Sequence, residues 1–183
     1  MKNLLFAIAF LLTLSLNAQD WVTVKDIDLG YRLDFPTTAT KDNKDVPTAK
    51  GNVVMHTYTA YPAAGDDNIL YMSSFSEYPE SFFPEGLKTQ EQIDTVLEGA
   101  VNGAVTNVNG TLLSKKDIVF NGYPGRHFKI EVDQAGSTYI LTMWNILVDY
   151  RMYIVQTIAL KGSEENDNFK KFLDSFELIK VKN

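Results

Sequence analysis

Residues 111–160 read TLLSKKDIVF NGYPGRHFKI EVDQAGSTYI LTMWNILVDY RMYIVQTIAL, and the periodicity of this stretch decides the fold. Alternating strand-like residues run from Thr111 to Phe120, stop at Asn121-Gly122-Tyr123-Pro124-Gly125, and resume from Arg126 to Val132. A stop rich in Asn, Gly and Pro supplies the backbone angles of a tight reversal, so the two runs pair as a hairpin. Gln134-Ala135-Gly136 provides the next reversal and Ser137 to Leu147 a longer strand. Val148-Asp149-Tyr150 then returns the chain into Arg151 to Leu160. Three strands therefore run as a meander. Connections this short join antiparallel neighbours, because a parallel crossover takes a dozen residues or more.

Upstream, Tyr31, Leu33 and Phe35 alternate with polar residues and Pro36 ends the pattern, which predicts a strand with one buried face. From Thr37 to Lys50 the chain is polar, with Asp42, Lys44, Asp45 and Pro47, and reads as an exposed excursion. Asn52 to Tyr61 and Asn68 to Tyr78 flank Pro62-Ala63-Ala64-Gly65-Asp66-Asp67, whose turn chemistry makes them a second hairpin. A helix opens at Thr89, with Gln92 placed to complete a capping box. Ile93, Val96, Leu97, Ala100, Val101 and Ala104 lie at the three-and-four spacing of one helix face, which argues packing on a sheet. A second helix is expected from near Ser163, with Glu164 and Glu165 favoured by the dipole at its start and Phe169, Phe172, Leu173 and Phe176 on one side. Glu177 to Val181 reads as a short closing edge strand.

The elements predict an α+β domain: a mostly antiparallel β-sheet flanked by helices, with an up-and-down barrel as the alternative. Amphipathic helices need an apolar surface to cover, and a sheet face supplies one. The first 18 residues stand apart. Lys2 precedes an apolar run from Leu4 that continues to Leu16, too short for a membrane span of about 20 residues, and Ala18 offers a small residue before Gln19. Residues 1–18 are therefore expected to be a cleaved signal peptide and residues 19–183 a single exported domain, periplasmic or extracellular; an uncleaved anchor is the alternative. The chain of 183 residues has no cysteine, which excludes disulfides, thiolate metal sites, a cysteine nucleophile and lipid attachment through cysteine. Removing Lys2 from 17 basic residues leaves 16 against 23 acidic ones, a formal charge of −7. That balance disfavours nucleic acid and anionic lipid as partners, and no stable membrane insertion is expected after cleavage.

Four short stretches carry a family resemblance. Tyr31-Arg32-Leu33-Asp34-Phe35-Pro36, Gly122-Tyr123-Pro124-Gly125-Arg126, Tyr150-Arg151-Met152-Tyr153 and Phe172-Leu173-Asp174-Ser175-Phe176 occur in the order of an opening strand, a central turn, a late hairpin and a closing helix. In this order they resemble the PsbP-like superfamily, over nearly the whole mature chain. The resemblance implies an α/β/α sandwich and a bacterial secreted member of a superfamily that also holds photosystem accessory subunits and a Ran-binding import factor. The motifs are turn formers and core aromatics, so they speak to fold, and no catalytic residue is carried over.

Chemistry is sparse along the chain. His56 and His127 are the only histidines and both fall inside strand patterns. Phe128, Ile130 and Val132 mark one face of their strand, which leaves His127, Lys129 and Glu131 on the other, read as solvated. Asp26 with Asp28, or Asp66, Asp67 and Glu77, are carboxylates that acid/base work would need paired across the fold; Asp66 and Asp67 also offer oxygens to calcium, without the rest of a calcium loop. No nucleophile elbow, phosphate loop, zincin helix or dinucleotide fingerprint occurs. No catalytic residue, metal site or cofactor is predicted. The segment Phe75 to Pro84 is the one suited to recognition: Tyr78, Phe82 and Phe83 enter a proline-bounded loop rimmed by acids, as a contact surface for a protein partner or small ligand. The competing reading is that these rings seal the end of the core. The expected function is a secreted noncatalytic binding or accessory domain, with a carrier of a small apolar ligand, or an enzyme with an unfamiliar carboxylate/histidine site, as alternatives.

Overall fold

The computed structural model describes residues 21–48 and 50–179. The expected signal peptide, its cleavage after Ala18 and Val181 of the closing strand lie outside the described residues. The elements are β1 (Val22–Asp26), β2 (Tyr31–Phe35), β3 (Thr40–Thr48), β4 (Gly51–Ala60), β5 (Asn68–Glu77), α1 (Gln90–Asn107), β6 (Thr111–Phe120), β7 (Tyr123–Gln134), β8 (Ser137–Val148), β9 (Arg151–Leu160), α2 (Asp167–Asp174) and β10 (Glu177–Leu178). A seven-stranded sheet runs β3-β4-β5-β9-β8-β7-β6 and a three-stranded sheet runs β1-β2-β10. Every described pairing is antiparallel, as the short connections require. This is an α+β fold dominated by antiparallel sheet.

The hairpins follow their turn residues. Asn121 and Gly122 adopt φ of 51° and 85°, and Ala135 and Gly136 adopt 52° and 79°. Consecutive left-handed residues match the twist of flanking strands in two-residue loops, so β7 already begins at Tyr123 and includes Pro124. Two expectations are corrected. The polar excursion is β3, paired from Thr40↔Thr59 to Thr48↔Gly51; as an edge strand with no fully buried residue it has no apolar alternation to announce it. The second helix starts later, because Glu165 is left-handed at φ 58° and the side chain of Asn166 caps the helix by accepting from Phe169 N–H at 2.8 Å. Tyr31–Phe35 buries one face as expected, but in the smaller sheet.

The large sheet is covered on both faces. On one, Val101 of α1 packs with Phe128, Ile130, Leu141 and Met143, and Leu97 packs with Leu147 and Met152. Thr89 and Gln92 form the expected capping box. On the other face, Tyr31, Leu33 and Phe35 of the small sheet and Phe169, Phe172 and Phe176 pack against Tyr71, Phe75, Ile146, Tyr153 and Val155. Phe172 is fully buried, with ring centroids 5.2 Å from Phe35 and 5.1 Å from Tyr71. Double coverage explains why Ile146, Leu147 and Val148 are buried consecutively instead of alternately.

Candidate functional site

The aromatic loop leaves the end of β5 and is tied at once to the β8–β9 turn: Tyr78 N–H donates to the Tyr150 carbonyl at 2.8 Å. Pro79 then introduces a single 3-10 turn, Glu80–Phe82. Tyr78 meets the Phe83 ring edge-on at 6.0 Å, and Phe83 stacks on Tyr150 at 5.9 Å and 21°. The Lys50 ammonium lies 4.3 Å from the Phe83 centroid and also donates to the Phe82 carbonyl. Phe82 packs elsewhere, on the β3–β4 hairpin, where a Cβ at Gly51 would lie 2.8 Å from Phe82 Cζ. All three rings are half-buried. Tyr78 also packs against the cluster of Leu97, Leu147 and Met152, and burial pushes its hydroxyl pKa up. The structure therefore brings Tyr78 and Phe83 together, gives Phe82 a separate contact, and lets the loop close the end of the sheet.

Beside this stack opens a cleft of about 330 Å³, whose walls include Glu77, Glu80, Lys88, Asp149, Tyr150 and Arg151. Arg151 Nε donates to Glu77 Oε1 at 3.1 Å, and the register places these two residues directly opposite each other. The volume is at the small end of ligand pockets, roughly 300–1,000 Å³. Its lining mixes both signs of charge with Tyr150, whose ring is stacked on Phe83. Sequence reasoning reached Tyr78, Phe83 and Glu77 but missed Lys88, Tyr150 and Arg151, because the neighbour relation of β5 and β9 spans 74 residues.

The histidines do not converge. β4 and β7 are four strand positions apart in the sheet, about 19 Å at ~4.8 Å per step. His56 Nδ1 sits 2.8 Å from Asn43 Oδ1 on the neighbouring edge strand. His127 overturns the solvated-face reading: only 7% exposed, it stacks on Phe169 at 6.5 Å and meets Trp144 at a tilt at 5.9 Å, and its Nε2 lies 3.4 Å from Glu165 Oε1. Burial is the main cause holding its pKa at about 4, with Lys116 adding to it against the attraction of Glu165.

The carboxylates are occupied or far apart. Asp26 is buried and accepts from Lys41 Nζ at 2.7 Å, the Tyr58 hydroxyl at 2.8 Å and the N–H groups of Asp28 and Leu29, whereas Asp28 is exposed. Burial alone pushes the Asp26 pKa up, but these bonds together outweigh it and hold the carboxyl at about 2. Asp66 accepts from the Tyr71 hydroxyl, Asn68 and Asn168, which ties the β4–β5 turn to α2. Asp67 and Glu77 stand at opposite ends of β5, roughly 30 Å apart at ~3.3 Å per residue. Among the described residues no cluster of three or more histidine or acidic side chains is placed to hold a metal.

One polar centre was not foreseen. Arg126, 5% exposed, reaches from β7 to Asp94 of α1 at 2.6 Å and to Asp117 of β6 at 3.1 Å. The acids at 94 and 98 beside the apolar stripe of α1 were its only sequence signal.

No family model matches the chain, and no curated protein matches it. Its fold is similar to the solution structure of cyanobacterial PsbP from Synechocystis sp. PCC 6803, with 12% identity over 90% of this chain and 95% of that one and a TM-score of 0.52. A structure from Bacteroides thetaiotaomicron matches at 9% identity, 88% of this chain, 49% of that one and a TM-score of 0.49. A protein of unknown function from Pseudomonas aeruginosa matches at 10% identity, 78% and 85% coverage and a TM-score of 0.40. The likeness to PsbP supports a PsbP-like fold; at such identity it bears on fold alone.

Proposed function

We propose that this chain is an exported, noncatalytic binding or accessory domain built as a PsbP-like α/β/α sandwich. Its recognition surface is the end of the sheet where the loop after β5 meets the β8–β9 turn. The observation that carries the reading is the mixed-charge cleft of about 330 Å³ walled by Tyr150, whose ring is fixed by Phe83 and, through it, Tyr78. A rigid ring flanked by Lys88 and Arg151 on one hand and Glu77, Glu80 and Asp149 on the other suits a partner segment carrying both charges, such as a polar peptide. Two rival readings have less support. The apolar space between sheet and α1 is occupied by side chains in mutual contact, including Val101, Phe128 and Ile130 at 0% exposure, where an apolar cargo would have to displace them. A carboxylate/histidine enzyme would have to use His127 with Glu165 at 3.4 Å, but that histidine is only 7% exposed and lies outside the cleft, and His56 is four strand positions away. Export, to the periplasm or beyond the cell, rests on the apolar leader ending at Ala18.

The test is recovery of bound material from the native compartment with wild-type protein, Arg151→Glu, Lys88→Glu and His56→Ala, with circular dichroism of each. Binding that is lost in the two charge reversals and kept in His56→Ala supports the reading; recovery independent of both cleft cations refutes it. Intact mass of the recovered chain tests export through a new N-terminus at Gln19.

A further inference from the structure

The seven-stranded sheet ends in two unlike edges. β3 carries Lys41, Asp42, Lys44, Asp45 and Pro47, the residues that deter strand addition. β6 instead exposes Leu112, Leu113 and Val119 at 37%, 47% and 76% around a short charged centre, Lys115-Lys116-Asp117. We propose that two copies of this chain associate through β6, antiparallel about a two-fold axis at Lys116, to form one continuous sheet. This inference is independent of the cleft beside the β8–β9 turn, none of whose walls belongs to β6.

The charges select the register. A two-fold axis perpendicular to the sheet keeps each face on its own side, so opposed residues must point the same way. Lys115 and Asp117 both point to the α1 side: Lys115 Nζ lies 2.7 Å from Glu98 of α1, and Asp117 pairs with Arg126, which itself reaches Asp94 of α1. Lys116 points to the side of His127, its cross-strand neighbour. Centring the axis on Lys115 sets that lysine against itself and leaves Asp117 without a cation across the seam. Centring it on Asp117 opposes two aspartates and puts Lys115 against Val119. Centring it on Lys116 sets Lys115 against Asp117 of the second copy, twice, and brings Leu113 to Val119 of the second copy. The ion pairs then continue from Glu98 through Lys115 and Asp117 to Arg126 across the seam. Two elements oppose the pairing and make the dimer weak: Lys116 faces its own copy, and directly opposed like charges destabilise a strand pair, and the register of β6 shifts between Leu112 and Ser114, which interrupts the edge at Leu113.

The absence of cysteine makes this testable by cross-linking. Directly opposed residues of an antiparallel pair have Cα atoms ~4.5–5.5 Å apart, inside the ~4.4–6.8 Å range of disulfides. Under mild oxidation Lys116→Cys should link to its own copy, and Lys44→Cys on β3 should not. Sedimentation equilibrium of the unmodified chain should show dimer rising with concentration up to about 1 mM, and Val119→Lys, an exposed change, should weaken it by about tenfold or more. A monomer throughout this range, or Lys116→Cys linking no faster than Lys44→Cys, overturns the proposal. So does a dimer indifferent to Val119→Lys, which would place the contact on another surface.

Discussion

Replacing Asp26 by Asn tests how the small sheet is fastened to the large one. The carboxylate ends β1 and reaches Lys41 on β3 and Tyr58 on β4, so it bridges the layers through two charged or polar contacts. Its pKa of about 2, against an ordinary 3.8, corresponds to about 2 kcal/mol of preference for the ionised folded form at ~1.4 kcal/mol per tenfold. This is an upper figure, since the Lys41 side chain is 44% exposed and partly screened. The unfolded carboxyl protonates near 3.8 and the folded one near 2. The stabilisation is therefore complete above about pH 4 and is lost as pH falls through the folded value of about 2. Urea unfolding of wild type and Asp26→Asn at pH 6, 4, 3 and 2 should show a gap of at most about 2 kcal/mol at pH 6 that narrows steadily below pH 4. Protonation of His127 contributes equally to both proteins and cancels. A gap that stays constant from pH 6 to pH 2 would refute the charge argument and leave only a packing defect.

Phe172→Ala removes a ring buried among Phe35, Tyr71 and Trp21 and should cost roughly 3–5 kcal/mol in denaturant unfolding; a cost below ~1 kcal/mol would disprove the placement of α2. Tyr78→Ala should destabilise the domain by roughly 2–4 kcal/mol, because its ring joins the Leu97 cluster, whereas Phe82→Ala, seated on Gly51, should lower stability less and act mainly on the β3–β4 hairpin. Equal losses from the two would contradict the separate contacts. An NMR titration should find His127 still neutral at pH 5 and titrating at about 4, so the domain loses stability as pH falls from 6.5 toward 4; a value at or above 6.5 would mean the ring is not buried.

The parts of the fold readable in the chain are those written in local chemistry. Asn121-Gly122 and Thr89 with Gln92 each specify a turn or a cap within four residues, and the hairpins and the start of α1 follow from them. β3 escaped because an edge strand with both faces wet has nothing to alternate, and its pairing with β4 is visible only once β4 is in place. The start of α2 was drawn three residues early, at a Ser and two Glu that fit a cap and a first turn, where the left-handed Glu165 instead hands the cap to Asn166. Tyr78 and Phe83 were marked by an excess of rings in a loop. Tyr150, Arg151 and Lys88, which complete the cleft, carry no such mark, since only the β5–β9 pairing brings Arg151 to Glu77.

His127 and Arg126 show where periodicity stops informing. They are consecutive on β7, so they must point to opposite faces, and the alternation of Phe128 and Ile130 correctly assigns Arg126 to the apolar side and His127 to the other. From a single strand the natural inference is that one side is core and the other is water. Here α1 lies over the first side and Phe169 of α2 over the second, so both polar side chains are buried and each must be answered from a different layer. Arg126 finds Asp94 at 2.6 Å and Asp117 at 3.1 Å; His127 has Glu165 at 3.4 Å and two lysines nearby, and burial holds it neutral. Alternation thus identifies which residues share a face, but whether that face is dry depends on the layer that closes over it, more than forty residues further along the chain in the case of α2.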